Sequence, residues 1–193
     1  MTKTRLEALS DGVIAIVMTI LILEFKVPKI ESSEEDWGLV KDFIHNLPVV
    51  LSYIISFLVL IVWWMSHHEL FHGVKHIDRK TIFLNGIFLM FIAFIPFPTA
   101  LMGEYPGLHF PSILYGIIGM FCGASYYCLY HHVLKKNTDH PFTITSKEAL
   151  SFKNTWLHLL VYIVAIGIAF ISPYISIAVY AAVPIYFILK KNG

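Results

Sequence analysis

The chain has 193 residues, 57% of them hydrophobic and only 14% charged, with a formal net charge of +1 and a mean hydropathy of +0.70. Globular domains average about 45–50% apolar and roughly a quarter charged residues, so this composition argues against a soluble domain and excludes a disordered, collagen-like or disulfide-framework chain. Without a net basic field there is no electrostatic footprint for nucleic acid. Cys122 and Cys128 lie six apart in one apolar run, on different helical faces, and form neither a disulfide scaffold nor a zinc-type pair. The expected partner is the lipid bilayer.

About 20 apolar residues cross the roughly 30 Å hydrocarbon layer as a helix. Runs of that length are predicted at about 11–28, 47–66, 81–103, 110–134, 151–171 and 174–190. Lys3 and Arg5 ahead of the first run imitate a signal peptide. Glu24 to Pro28 follows it in place of a small-residue cleavage site, so the segment is read as a permanent helix. The loop from Lys29 to Asp42, with Glu31, Glu34, Glu35, Asp36 and Asp42, reads as an acidic cap. Further along, Thr145 and Glu148 have capping-box spacing at the start of the fifth helix. Ser172-Pro173 predicts a tight reversal between the last two spans. Eleven Lys and Arg fall on one side of these spans and three (Lys26, Lys29, Lys41) on the other. Basic loops tend to stay cytoplasmic, which puts both termini inside, as six crossings require. The predicted class is an all-α integral membrane protein with six transmembrane helices, a single domain over residues 1–193.

Polar residues inside or beside apolar runs need partners or water. Arg5, Ser10 and Asp11 open the first helix, Trp64, His67 and His68 end the second, and Asn85 begins the third, all at one depth. Ser10 and Asp11 are read as a helix cap or as partners for the other helices. The sharper expectation is one network of Arg5, Ser10, Asp11, Trp64, His67 and Asn85 tying three helices together. The blander one makes Trp63 and Trp64 interfacial anchors. His68, His72 and His76 recur every four residues, with His131 and His132 on the same membrane side. That spacing suits a metal carrier, yet no mid-membrane carboxylate offsets a cation's desolvation, and a hydrated helix end is the other reading. No metal site is assigned. No nucleophile elbow, phosphate loop, catalytic triad or H-E-x-x-H motif is present, so neither an enzyme activity nor a cofactor is expected. The T-V-G-Y-G carbonyl filter of potassium channels is also missing.

Arg5-x-x-x-Leu9-Ser10-Asp11 resembles the R-x-x-x-F-S-D signature of the endolysosomal potassium channel transmembrane protein 175 and its prokaryotic homologues. Further likenesses are Trp64-x-x-His67 followed by Leu70-Phe71, Asn85, and the Ile95-Pro96-Phe97 turn. Leu9 departs from the family's Phe, losing an aromatic contact and leaving the polar positions intact. The resemblance implies a potassium-selective, leak-like channel in a bacterial cell (inner) membrane, passing K⁺ and other monovalent cations. It also implies four copies forming a homotetramer whose first helices line a central pore. On an ideal helix Ile20 and Leu23 lie within about 40° of Ile16, and Thr19 at about 60° to its side. Four such stripes around an axis would stack apolar rings over about 10 Å, a constriction that gates by dewetting, with Thr19 tuning selectivity. The rival readings are a secondary transporter or metal-ion carrier using the histidines, and a membrane scaffold that transports nothing.

Overall fold

The computed structural model describes residues 2–27, 36–72, 74, 76–136 and 146–190, and among these every regular element is a helix. Helix α1, Lys3–Ile20, tightens into a 3-10 turn at Leu21–Glu24. It begins about two turns ahead of the predicted span because several of its polar residues are satisfied in place. Lys3 pairs with Glu7 at 3.7 Å, Ser10 Oγ donates to Leu6 O at 2.9 Å, and Asp11 Oδ1 accepts from Trp64 Nε1 at 3.0 Å.

Helix α2, Asp36–His45, corrects the expected acidic loop over these positions. Lys29, Glu31, Glu34 and Glu35 lie outside the described residues. Asn46 alone separates α2 from α3, Leu47–His72. Pro48 forces the break, having no N–H to offer back to α2. Asn46 fills the gap, its backbone N and its Nδ2 both donating to Asp42 O, at 3.0 and 2.8 Å.

The predicted third span is two helices, α4 (Arg79–Phe94) and α5 (Pro96–Glu104). Pro96 and Pro98 remove two ladder donors, so the Ile95 N–H closes a tighter bond to Ile92 O at 3.1 Å. Thr99 Oγ1 then donates to Ile95 O at 2.8 Å. Helix α6 runs His109–Lys136, α7 Ser146–Ala169 and α8 Pro173–Lys190. The reversal between the last two falls at Ser172-Pro173, where the Ile171 and Ser172 N–H groups both donate to Ile168 O. The capping box expected on Thr145 lies outside the described residues. Four described stretches, Lys3–Glu24, Leu47–His72, Arg79–Glu104 and His109–Lys136, are long and apolar enough to cross a membrane. Leu157–Ala169 and Pro173–Leu189 are apolar and shorter.

Helix α6 is the hub, packing on α4, α5, α7 and α8, while α1 lies against α3 and α4. Gly116 and Gly119 permit this closeness: a methyl at either would overlap Tyr180 or Tyr162. One apolar core joins α1, α3, α4 and α6, and a second joins Ile55 and Met102 to Tyr115, Tyr162 and Tyr180. Trp63 belongs to the first, between the rings of Phe88, Tyr126 and His158. It is therefore no interfacial anchor, whereas Trp64, one step around the helix, is exposed.

Candidate functional site

The two sides of α1 have different surroundings. Leu6, Ser10, Ile14, Val17 and Leu21 are buried against α3 and α4. The opposite side carries Arg5, Leu9, Gly12, Ile16, Thr19, Ile20 and Leu23, all exposed. Ile16, Ile20 and Leu23 are 59%, 40% and 73% exposed, against 0% for Ile14 and 4% for Val17. The chain thus leaves the predicted stripe uncovered along its length. Thr19 Oγ1 sits at the stripe's edge and donates to Ile16 O at 2.7 Å. Its proton is spent on the backbone, so the hydroxyl presents only acceptor lone pairs outward. A Cβ built on Gly12 meets nothing within 4 Å.

The buried side holds a directed hydrogen-bond chain. Ser10 gives its proton to Leu6 O, so its oxygen accepts from Asn85 Nδ2 at 2.9 Å. That leaves Asn85 Oδ1 to accept from His67 Nε2 at 2.8 Å, which assigns the imidazole the Nε2–H tautomer. Donation runs one way, from α3 through α4 to α1, among three fully buried side chains. The His67 ring is held against Phe71 and stacks on Phe88 with a 7° interplanar angle. Separately, Trp64 Nε1 donates to Asp11 Oδ1 at 3.0 Å on the protein's exterior.

The expected single network is thus two: Ser10, Asn85 and His67 inside, Asp11 and Trp64 outside. Arg5 joins neither; among the described residues it is exposed and has no bonded partner. The reason is angular. Arg5 projects within about 20° of the Ile16 direction, on the side of α1 that is exposed among the described residues.

On the histidine-rich side, Trp64 stacks on His68, and the His68 and His72 rings are 6.3 Å apart. Among the described residues no three His, Cys, Asp or Glu side chains group as a metal site. His132 is engaged elsewhere, 3.0 Å from Asp78. Asp78 is the N-cap of α4, accepting from the Thr81 N–H at 2.7 Å and from Thr81 Oγ1 at 2.8 Å. The Thr81 N–H, and after it His132, hold this carboxyl well below the usual aspartate range. This clasp between α4 and α6 was not foreseen, although Asp78 three residues before Thr81 is an N-cap signal. Lys3 Nζ donates to His72 O at 3.1 Å on the same side, and Lys26 meets Glu104 at 3.4 Å at the opposite end.

Residues 5–96, which hold all but the first two residues of α1, both polar groupings and the Pro96 break, match the family described as endosomal/lysosomal potassium channel TMEM175. A protein of Chamaesiphon minutus described as a potassium channel is 33% identical across 98% of this chain and 95% of its own length. A Streptomyces collinus protein, also described as a potassium channel, is 32% identical across 95% of this chain and 90% of its own. The crystal structure of a lysosomal potassium-selective channel TMEM175 homolog from Chamaesiphon minutus superposes with a TM-score of 0.85 at 32% identity. It covers 99% of this chain and 98% of that one. With sequence likeness running end to end and the same helical arrangement behind it, the chain belongs to the TMEM175 family.

Proposed function

We propose that this chain is a potassium channel of a bacterial cell membrane. In this reading four copies surround a pore lined by α1, with Ile16, Ile20 and Leu23 as the constriction and Thr19 as the selectivity-tuning residue. The observation that carries it is the open face of α1: Leu6, Ile14, Val17 and Leu21 are buried by the chain, while Ile16, Ile20 and Leu23 stay exposed among the described residues. An apolar ring too narrow for a hydrated ion excludes it through the cost of stripping its water, and a hydroxyl oxygen replaces part of that hydration shell. The outward lone pairs of Thr19 suit that role. Six apolar runs supply six crossings in this reading, and the eleven-to-three distribution of Lys and Arg supports both termini being cytoplasmic. Arg5 and Asp11 serve folding and assembly in this scheme and are not ion ligands.

The test is reconstitution of the purified chain in liposomes and planar bilayers, with reversal potentials measured under K⁺/Na⁺ bi-ionic conditions. A conductance with a K⁺-favouring reversal potential is expected. A saturable, carrier-like flux or no flux at all overturns the reading.

A further inference from the structure

We propose that α2 is an interfacial helix, lying in the outer headgroup layer of the bilayer with Trp37, Val40, Phe43 and Ile44 among the upper acyl chains. None of its residues is buried, and all four of these side chains are exposed. On the helical wheel they span about 120°, with Ile44, Val40 and Phe43 at about 20°, 60° and 120° to one side of Trp37; Asp36, in the first turn, falls inside this arc, and exposed Leu39 lies across the helix from Trp37. The two half-buried positions, Gly38 and Asp42, sit on the other side. A helix on the water-facing exterior of a protein turns its apolar arc inward. This one turns a glycine and an aspartate toward its own chain and four of its five large apolar groups away, so what lies outside it is itself apolar.

The occupant is lipid because of where the chain must place the helix. Only Asn46 lies between α2 and the first residue of the α3 span. The doubled bond from Asn46 to Asp42 O ties the joint. One residue spans at most about 3.6 Å, so α2 cannot stand clear of the hydrocarbon boundary where α3 begins. The exposed Leu47, Leu51 and Ile54 of α3 continue the apolar surface downward. Trp37 is a residue type that settles at that depth, and Lys41 and His45, on the remaining arc, reach water and headgroups.

The test uses the full chain with Cys128→Ser, spin-labelled at Val40→Cys, Ile44→Cys, Lys41→Cys or His45→Cys. The protein is placed in liposomes of phosphatidylethanolamine and phosphatidylglycerol. Collision with oxygen, which concentrates in lipid, is expected to exceed collision with a water-soluble nickel chelate at 40 and 44, and to fall below it at 41 and 45. Chelate-dominated collision at 40 and 44 places the face in water and overturns the proposal. So does exclusion of both reagents there, which places it against a second copy. Where a label prevents folding, the Trp37 signal, taken as wild type minus Trp37→Phe, decides. Quenching by lipid brominated in the upper acyl chain is expected, and quenching by aqueous iodide alone overturns the inference.

Discussion

At the scale of single residues, the expected pore effects separate cleanly from packing effects. Ile16→Asn hydrates the proposed constriction and is expected to raise K⁺ flux, while Thr19→Val removes the outward lone pairs and is expected to shift the bi-ionic reversal potential toward that of an unselective cation pore. Polar substitutions at Val17 or Ile14 meet a packed interior and are expected to lower stability without raising conductance. Unchanged flux in a folded Ile16→Asn protein, or thiol reagents reaching position 17 and not 16, would assign the pore to another face. The polar residues divide in the same way. Asn85→Leu orphans the buried Nε2–H of His67 and removes a donor from Ser10, a loss of about 2 kcal/mol read as a fall in thermal stability. Asp11→Asn keeps an acceptor for Trp64 on an exposed surface, so a smaller change, under about 1 kcal/mol, is expected, with the reversal potential unmoved.

At the scale of elements, Asp78 supplies a cap and a strut at once. Asp78→Ala is expected to cost about 1 kcal/mol from the lost N-cap, measured by thermal unfolding. The pH sign follows from the lowered pKa of the carboxyl. Its ionised form is favoured in the folded protein, so its contribution is complete above the unfolded value of about 3.9 and fades as pH falls through the lower folded value. The stability gap between wild type and Asp78→Ala is therefore expected to be level from neutrality down to about pH 5 as far as this carboxylate is concerned, and to close only in stronger acid. Most helices were legible in the sequence because bilayer crossing leaves a length and composition signature that needs no tertiary information. The Ser172-Pro173 reversal was legible through proline's missing donor. What escaped was set by three-dimensional neighbours. The α2 segment reads as loop because Asp36, Asp42 and a chain of nearby acids dilute its apolar arc. The resemblance carries the Ile95-Pro96-Phe97 turn, but the apolar run over 81–103 reads as one span because its composition does not show how Ile92 and Ile95 rebalance around two prolines. Trp63 and Trp64 are adjacent and chemically alike, and only the positions of Phe88, Tyr126 and His158 decide which is inside. Arg5 and Asp11 share a depth and are both exposed, and a separation of about 120° around the helix leaves only Asp11 within reach of Trp64.

At the scale of the whole molecule, the bundle is held by closeness around α6. Gly119→Ala places a methyl where the Tyr162 ring lies, and the displaced ring is expected to cost about 1–3 kcal/mol, seen as a lower unfolding temperature or loss of the folded species. Between copies of the proposed tetramer the energetics change character. Lipid tails are as apolar as isoleucine, so the uncovered stripe of α1 gains nothing by leaving lipid for a neighbour, and any attraction between copies has to come from shape and polar pairing. At the Thr19 edge of the stripe Gly12 is the point where the backbone is barest, with small Ala8 and Ala15 beyond it, a notch into which the neighbouring helix of the proposed tetramer can settle at short range. Because the space beside Gly12 is open within the chain, a leucine there disturbs nothing in the single copy. Gly12→Leu is thus expected to leave the helical circular dichroism and the unfolding of the dissociated chain intact while reducing the assembled fraction in cross-linking or mass photometry. The bare backbone at one glycine then separates the stability of the fold from the affinity between folds, two quantities that most substitutions in a membrane oligomer alter together.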